Sequence, residues 1–253
     1  MIPLGSSPIL STRIDATNYD DATQRIVEWA RDGGSRYVCC ANVHMLIEGR
    51  DDPAFREIVN GAALVTPDGM PLVWILRQRG FRQTRIYGPD LMLRVCEAAA
   101  AQEIPVGLHG GSPGALPRLV AELKRRYPAL PIVHAESPPF RPVDGEERSA
   151  EIARIGRSGA RILFVGLGCP KQERWMADRK LGGVQIGVGA AFSFLSGEVR
   201  QAPKVLQAAG LEWAFRLAVE PRRLAKRYVV TNTRFVMIVA AEALASLNRS
   251  VTK

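Results

Sequence analysis

The sequence is short of several things at once, and each shortage closes off a class of function. None of its apolar runs reaches the ~20 residues that span a bilayer. The opening MIPLGSSPILSTRID has neither a basic start nor a long apolar centre, the marks of a secretory leader. The expectation is a soluble protein of the cytoplasm. Cysteine is sparse: Cys39, Cys40, Cys96 and Cys169 include one adjacent pair and no CxxC spacing, so neither a disulfide framework nor a zinc site is indicated, and a reducing compartment fits. Asp-x-Asp occurs nowhere, which leaves a divalent-metal clamp on a diphosphate without obvious ligands. A complete dinucleotide fingerprint and a Walker loop are also missing, which argues against a nicotinamide dehydrogenase.

What is present suits a globular chain. With 253 residues, 47% hydrophobic and 23% charged, one α/β domain with an appendage can bury a substantial core. The net charge of +9 is unevenly placed. From Val199 to Lys253 ten Lys or Arg face three Glu, 10 − 3 = +7, whereas the preceding residues carry 24 − 22 = +2. A basic tail attracts nucleic acid, anionic lipid or phosphorylated substrates, and composition does not choose among them.

Helical and strand patterns alternate along the first 198 residues. An initial strand and turn is read over Ile9 to Thr17, a helix over Asp20 to Asp32 ended by Gly33 and Gly34, and a short strand over Arg36 to Ala41 that delivers Asn42 and His44 at its end. Further strands are expected at Ala62–Val65, Pro105–His109, Leu130–Ala135, Ile162–Val165 and Val184–Val188, with helices between them. This order predicts a Rossmann-like α/β fold, a mostly parallel sheet with helices on both faces. From Ala202 only helices are expected, with Pro203 and Pro221 at helix starts and Gly210 between two pieces. The chain is therefore divided into a catalytic body, 1–198, and a basic helical appendage, 199–253.

The stretch RILFVGLGCPKQERW, from Arg161 to Trp175, reads as buried strand, tight loop and helix start. It sets Gly168, Lys171, Gln172 and Glu173 at the C-terminal edge of a sheet, where ligands bind and where a helix N-terminus offers N–H groups to an anion. An ordinary strand-to-helix loop reads the same way. Asp68, in Thr66-Pro67-Asp68-Gly69, is either a turn cap or a general base beside Asn42 and His44. The loop Gly110-Gly111-Ser112-Pro113-Gly114 is either a phosphate cradle or a simple turn into a helix. His109 and His134 read as core or rim residues, and Cys169 as a small loop filler. In the tail, Arg216, Arg223 and Arg227 share one stripe if the helix is continuous, and they form either a solvated basic face or an interfacial surface that meets phosphates.

Taken together, Asn42, TPDGMP from Thr66, RIYGPDL from Arg85, GGSPG from Gly110, VGLGCPKQE from Val165, GVGAAF from Gly187, GLEWAFR from Gly210 and EPRRLAKRY from Glu220 resemble the WecG/TagA/CpsF glycosyltransferases, glycosyltransferase family 26. The resemblance covers about residues 10 to 230. It implies an inverting, metal-independent transfer of a hexosyl residue, N-acetylmannosamine, its uronic acid or a related hexose, from a UDP-sugar to a saccharide on undecaprenyl diphosphate. The place implied is the inner face of the bacterial cytoplasmic membrane, in the synthesis of cell-surface polysaccharide. The family's base falls on Asp68, its active-site amide on Asn42 and its loop glutamine on Gln172. Arg85 is counted with them, and Gly110, Gly111, Gly114, Gly168 and Lys171 with the nucleotide. Arg216, Arg223 and Arg227 fall on the arginines of the family's C-terminal appendage, which bind substrate or lipid diphosphate. No cofactor, metal or nucleic acid is implied, and apolar residues in the tail leave self-association open. Cys40, Ser193 and Gln201 depart from the family's usual Thr, acid and Arg. The competing expectation is a non-catalytic nucleotide-binding module whose basic tail holds lipid or nucleic acid.

Overall fold

The computed structural model describes residues 5–141 and 144–251, with the backbone alone for 208, 223, 225–227 and 243–251. A hairpin of β1 (Ser6–Ile9) and β2 (Thr12–Asp15) precedes the strands of the main sheet. These are β3 (Arg36–Ala41), β4 (Leu64–Pro67), β5 (Val106–Gly110), β6 (Ile132–Glu136), β7 (Ile162–Gly166) and β8 (Val184–Gly187). They pair in the order β4-β3-β8-β7-β5-β6, and every pairing is parallel.

The expected layers follow from the side-chain alternation of a strand. Ile162 and Phe164 of β7 belong to a core on one face with Ala22, Ile26, Leu91, Val95 and Leu119 from the covering helices. Leu163 and Val165 belong to a second core with Leu46, Phe55, Val59, Leu72 and Trp175. Neither face of the strand is wet, so the run carries no polar alternation. The helix Tyr19–Asp32 begins where Asn18 accepts from the Asp21 N–H and ends at Gly33, whose φ of 72° lies in the left-handed region.

Two expectations change. The first strand is not a member of the main sheet: Leu10 and Ser11 take φ of 49° and 63°, the backbone of a tight primed turn, so the segment folds back into its own hairpin. Asp15 then accepts from the Val65 N–H at 2.8 Å, covering part of the β4 edge. The second change is in the tail. Its helices are Lys204–Ala208, Glu212–Val219 and Pro221–Val251, so Arg216 stands on a different helix from Arg223 and Arg227, and the continuous stripe does not exist. Proline lacks the N–H that a continuous helix would use at 221, and the break falls there.

The terminal helix lies against the body. Leu224 and Phe235 are buried, the latter in the core beside Ile47 and Phe55, and Arg234 pairs with Asp51 at 2.6 Å. Its other face leaves Val229, Val230, Val236 and Met237 exposed. No helix among the described residues is long and apolar enough to cross a membrane.

Candidate active site

The chain reverses direction across the sheet: β3 and β4 are laid down on one side, β5 and β6 on the other, and β7 and β8 fill the gap between them. A cleft of about 1480 Å³ opens at the C-terminal ends of these strands, where an open α/β sheet binds its ligands. Asn42, Asp68, Arg85, Gly111, Gly168, Lys171, Gln172 and Arg216 all line it.

Asp68 follows the last residue of β4, and its own N–H is anchored on the Ala41 carbonyl at 2.8 Å. Its Oδ1 accepts from Arg85 Nη2 at 3.0 Å, Oδ2 accepts from the Gly88 N–H at 3.4 Å, and Arg85 Nε donates to its backbone carbonyl. Burial raises the carboxyl to about 6, with Arg85 working against that rise and Glu212 adding to it. A carboxylate that titrates near 6 is a stronger base than an ordinary aspartate and is still ionised at neutral pH. Arg85 is not a free cation for a diphosphate. Glu212 occupies its Nη1 at 2.7 Å, and the Tyr87 ring lies 4.1 Å from the guanidinium.

Asn42 caps the helix Val43–Asp51, its Oδ1 accepting from the Met45 N–H at 3.2 Å. Gln172 is 4% exposed and its amide is fully engaged. The oxygen accepts from the Gly168 and Gly189 N–H groups at 3.2 and 3.1 Å, and the nitrogen donates to Glu173 at 2.7 Å. It ties the loop after β7 to the loop after β8, and so acts on a ligand through their shape. Gly111 and Ser112 face the cleft, while Gly110 lies beneath it with φ of 125°; a Cβ there would sit 2.6 Å from the Gly166 backbone. Gly114, at φ −83°, opens the next helix and does not line the cleft. Lys171 is exposed to the cleft and has neither hydrogen bond nor ion pair among the described residues. Arg216 lies over the Phe194 ring at 5.3 Å, and its Nε has no hydrogen-bond partner among the described residues. The side chains of Arg223 and Arg227 lie outside the described residues.

Several neighbours of the site escaped the sequence reading. Glu212 and Tyr87 join Arg85, although both stood in blocks singled out above, GLEWAFR and RIYGPDL. Glu198 accepts from Ser112 Oγ at 2.8 Å and Ser193 Oγ at 3.1 Å, beside the glycine loop. Deeper in, His109 Nε2 lies 3.2 Å from Glu151, and its ring stacks on Trp175 at 4.5 Å. His109, His134 and Glu136 bring ligand atoms within 4.8 Å of one another, but Glu136 is already paired with Arg154 at 2.5 Å.

Glu173 adds a pH dependence to stability. It is fully buried, and burial raises it to about 7 against the opposing hydrogen bonds of Gln172 and Cys169. The native state then holds a proton that the unfolded chain, with an ordinary glutamate near 4.5, has released. This contribution is present at low pH and is lost as pH rises through about 7. In Glu173→Gln the melting temperature should therefore gain on that of the wild type between pH 5 and pH 8. Thermal melts in parallel buffers check this, and an unchanged difference would remove Glu173 from the account.

A parallel sheet with its cleft at the strand ends, lined by a carboxylate of raised pKa and by Lys171 and Arg216, is an arrangement suited to group transfer. The comparison with known families is consistent with that class. Residues 7–249 match the Glycosyl transferase WecG/TagA/CpsF family, and the chain belongs to it. Its partners are accordingly a sugar donor and a sugar acceptor.

Proposed function

We propose that the protein transfers a hexosyl residue, N-acetylmannosamine, its uronic acid or a related hexose, from a UDP-sugar to a saccharide on undecaprenyl diphosphate, with inversion and without a divalent metal. The acceptor hydroxyl oxygen attacks the anomeric carbon and its proton passes to Asp68. The bond from that carbon to the β-phosphate oxygen breaks, and UDP leaves with the electron pair. Asp68 carries this reading, being a partly buried carboxylate of raised basicity that faces the same cleft as the glycine turns.

Lys171 and Arg216 are the groups that would meet the departing diphosphate, since the Gly111 and Gly168 N–H groups already donate to the Gly166 carbonyl and to Gln172. One such preorganised donor is worth about 3 kcal/mol at the transition state. Asn42, with its oxygen spent on the cap, has its amide nitrogen left to donate to substrate. In this reading residues 1–198 form the catalytic body and 199–253 the membrane-associating appendage. Exposed Val229, Val230, Val236 and Met237 with the tail's basic charge support a peripheral seat on the inner face of the membrane. The same apolar residues would serve self-association off it.

The test is incubation with a panel of UDP-sugars and a short-chain lipid diphosphate saccharide. A lengthened lipid-linked saccharide, with UDP released in step, is the expected result. Tight nucleotide binding with no sugar release for any donor would replace the enzyme with a binding module.

A further inference from the structure

Glu212 reverses the usual division of a surface helix. Its neighbours Leu211 and Trp213 are 44% and 45% exposed, whereas the acid between them is 9% exposed. Apolar side chains outward and a carboxylate inward is the arrangement that solvation disfavours, so the inward acid has to be paired. Its partners come from a segment 125 residues or more earlier in the chain. Oε2 lies 2.7 Å from Arg85 Nη1, and Oε1 accepts from the Tyr87 hydroxyl at 2.9 Å. Arg85 in turn lies over the Tyr87 ring and reaches Asp68 at 3.0 Å.

Resting on the reading of Asp68 as the base, we propose that Glu212 is a positioning residue for the transfer: the C-terminal helices bring its carboxylate to Arg85 and Tyr87, which fixes the guanidinium against Asp68 and divides its positive charge between two carboxylates. Glu212 acts on Asp68 twice in the same direction, by its own negative charge and by drawing on Arg85. Both effects keep Asp68 basic. Among the described residues, Tyr19, Tyr87 and Cys40 also stand near Asp68, and burial raises each of them, which keeps them neutral at neutral pH. A chain whose terminal helices are not seated therefore holds a weaker base.

The experiment is the pH profile of kcat/KM for the full chain carrying Glu212→Gln, with its melting temperature measured alongside. Loss of one like charge and release of Arg85 should move the acid limb down by about one unit, with a severalfold lower plateau. Glu212→Asp, which keeps the charge but withdraws it by one methylene, should move the limb the same way by less. A limb that stays in place in both variants overturns the proposal. So does failure of both to fold, which would make Glu212 purely structural. Asp68→Asn separates the two readings. If its residual activity keeps the acid limb, Asp68 is not the base. If the limb vanishes there but does not move with Glu212, only the role of Glu212 fails.

Discussion

Asp68→Asn is expected to fold as the wild type does and to lose about 10²- to 10⁴-fold in kcat, the usual contribution of a positioned general base. Asparagine keeps the shape, and its oxygen can still accept from Arg85 at the Oδ1 position; the contact given up is the longer one from the Gly88 N–H, at 3.4 Å, so most of the geometry of the turn survives. What it loses is the ability to take the acceptor's proton. KM for the donor should change little, because in this reading the diphosphate is met by Lys171 and Arg216. In the wild type, kcat/KM should fall as pH drops through about 6, since protonation of Asp68 removes the base, and level off above it. A folded Asp68→Asn protein with undiminished turnover on a lipid-linked acceptor would transfer the role elsewhere.

Glu151→Ala is expected to be strongly destabilising. Glu151 Oε2 accepts from Arg179 Nε at 3.2 Å and Nη2 at 3.1 Å and from Trp175 Nε1 at 3.2 Å. Arg179 is 6% exposed, so deleting its main partner strands a cation away from water. Leaving a buried charge without its partner costs about 3–5 kcal/mol. At about 2–4 °C per kcal/mol for a chain of this size, the melting temperature should drop on the order of 10 °C. Glu151→Met combined with Arg179→Met should recover much of that loss, because the pair is then replaced by apolar groups of similar reach. A melt showing the single change to be neutral would mean that solvent reaches Arg179; a double change worse than the single would mean that the Trp175 and His109 contacts to Glu151 outweigh the Arg179 pair.

These expectations depend differently on sequence and structure. The layers were legible because strand and helix patterns are local: RILFV and RYVCC announce buried strands, and the glycines after them announce turns. The ends of β3, β4 and β7 could therefore be named, and with them Asn42, Asp68 and Gly168. The tail was legible in composition but not in geometry, since spacing alone could not say whether a helix continues through Pro221. The hairpin at Leu10 and Ser11 escaped because neither residue advertises a left-handed backbone.

The sequence by itself determined the alternating α/β architecture, the edge at which a ligand must enter and the family, because periodicity and short motifs are properties of neighbouring residues. The tertiary structure alone decided which of the named groups are free to act. Arg85 is spent on Asp68 and Glu212 and Gln172 on two loops, whereas among the described residues Lys171 has no side-chain partner and Arg216 has the Phe194 ring. Those assignments depend on strands meeting out of chain order and on a C-terminal helix returning to Arg85 and Tyr87. Contacts between such distant segments are selected by packing, and no local pattern records them.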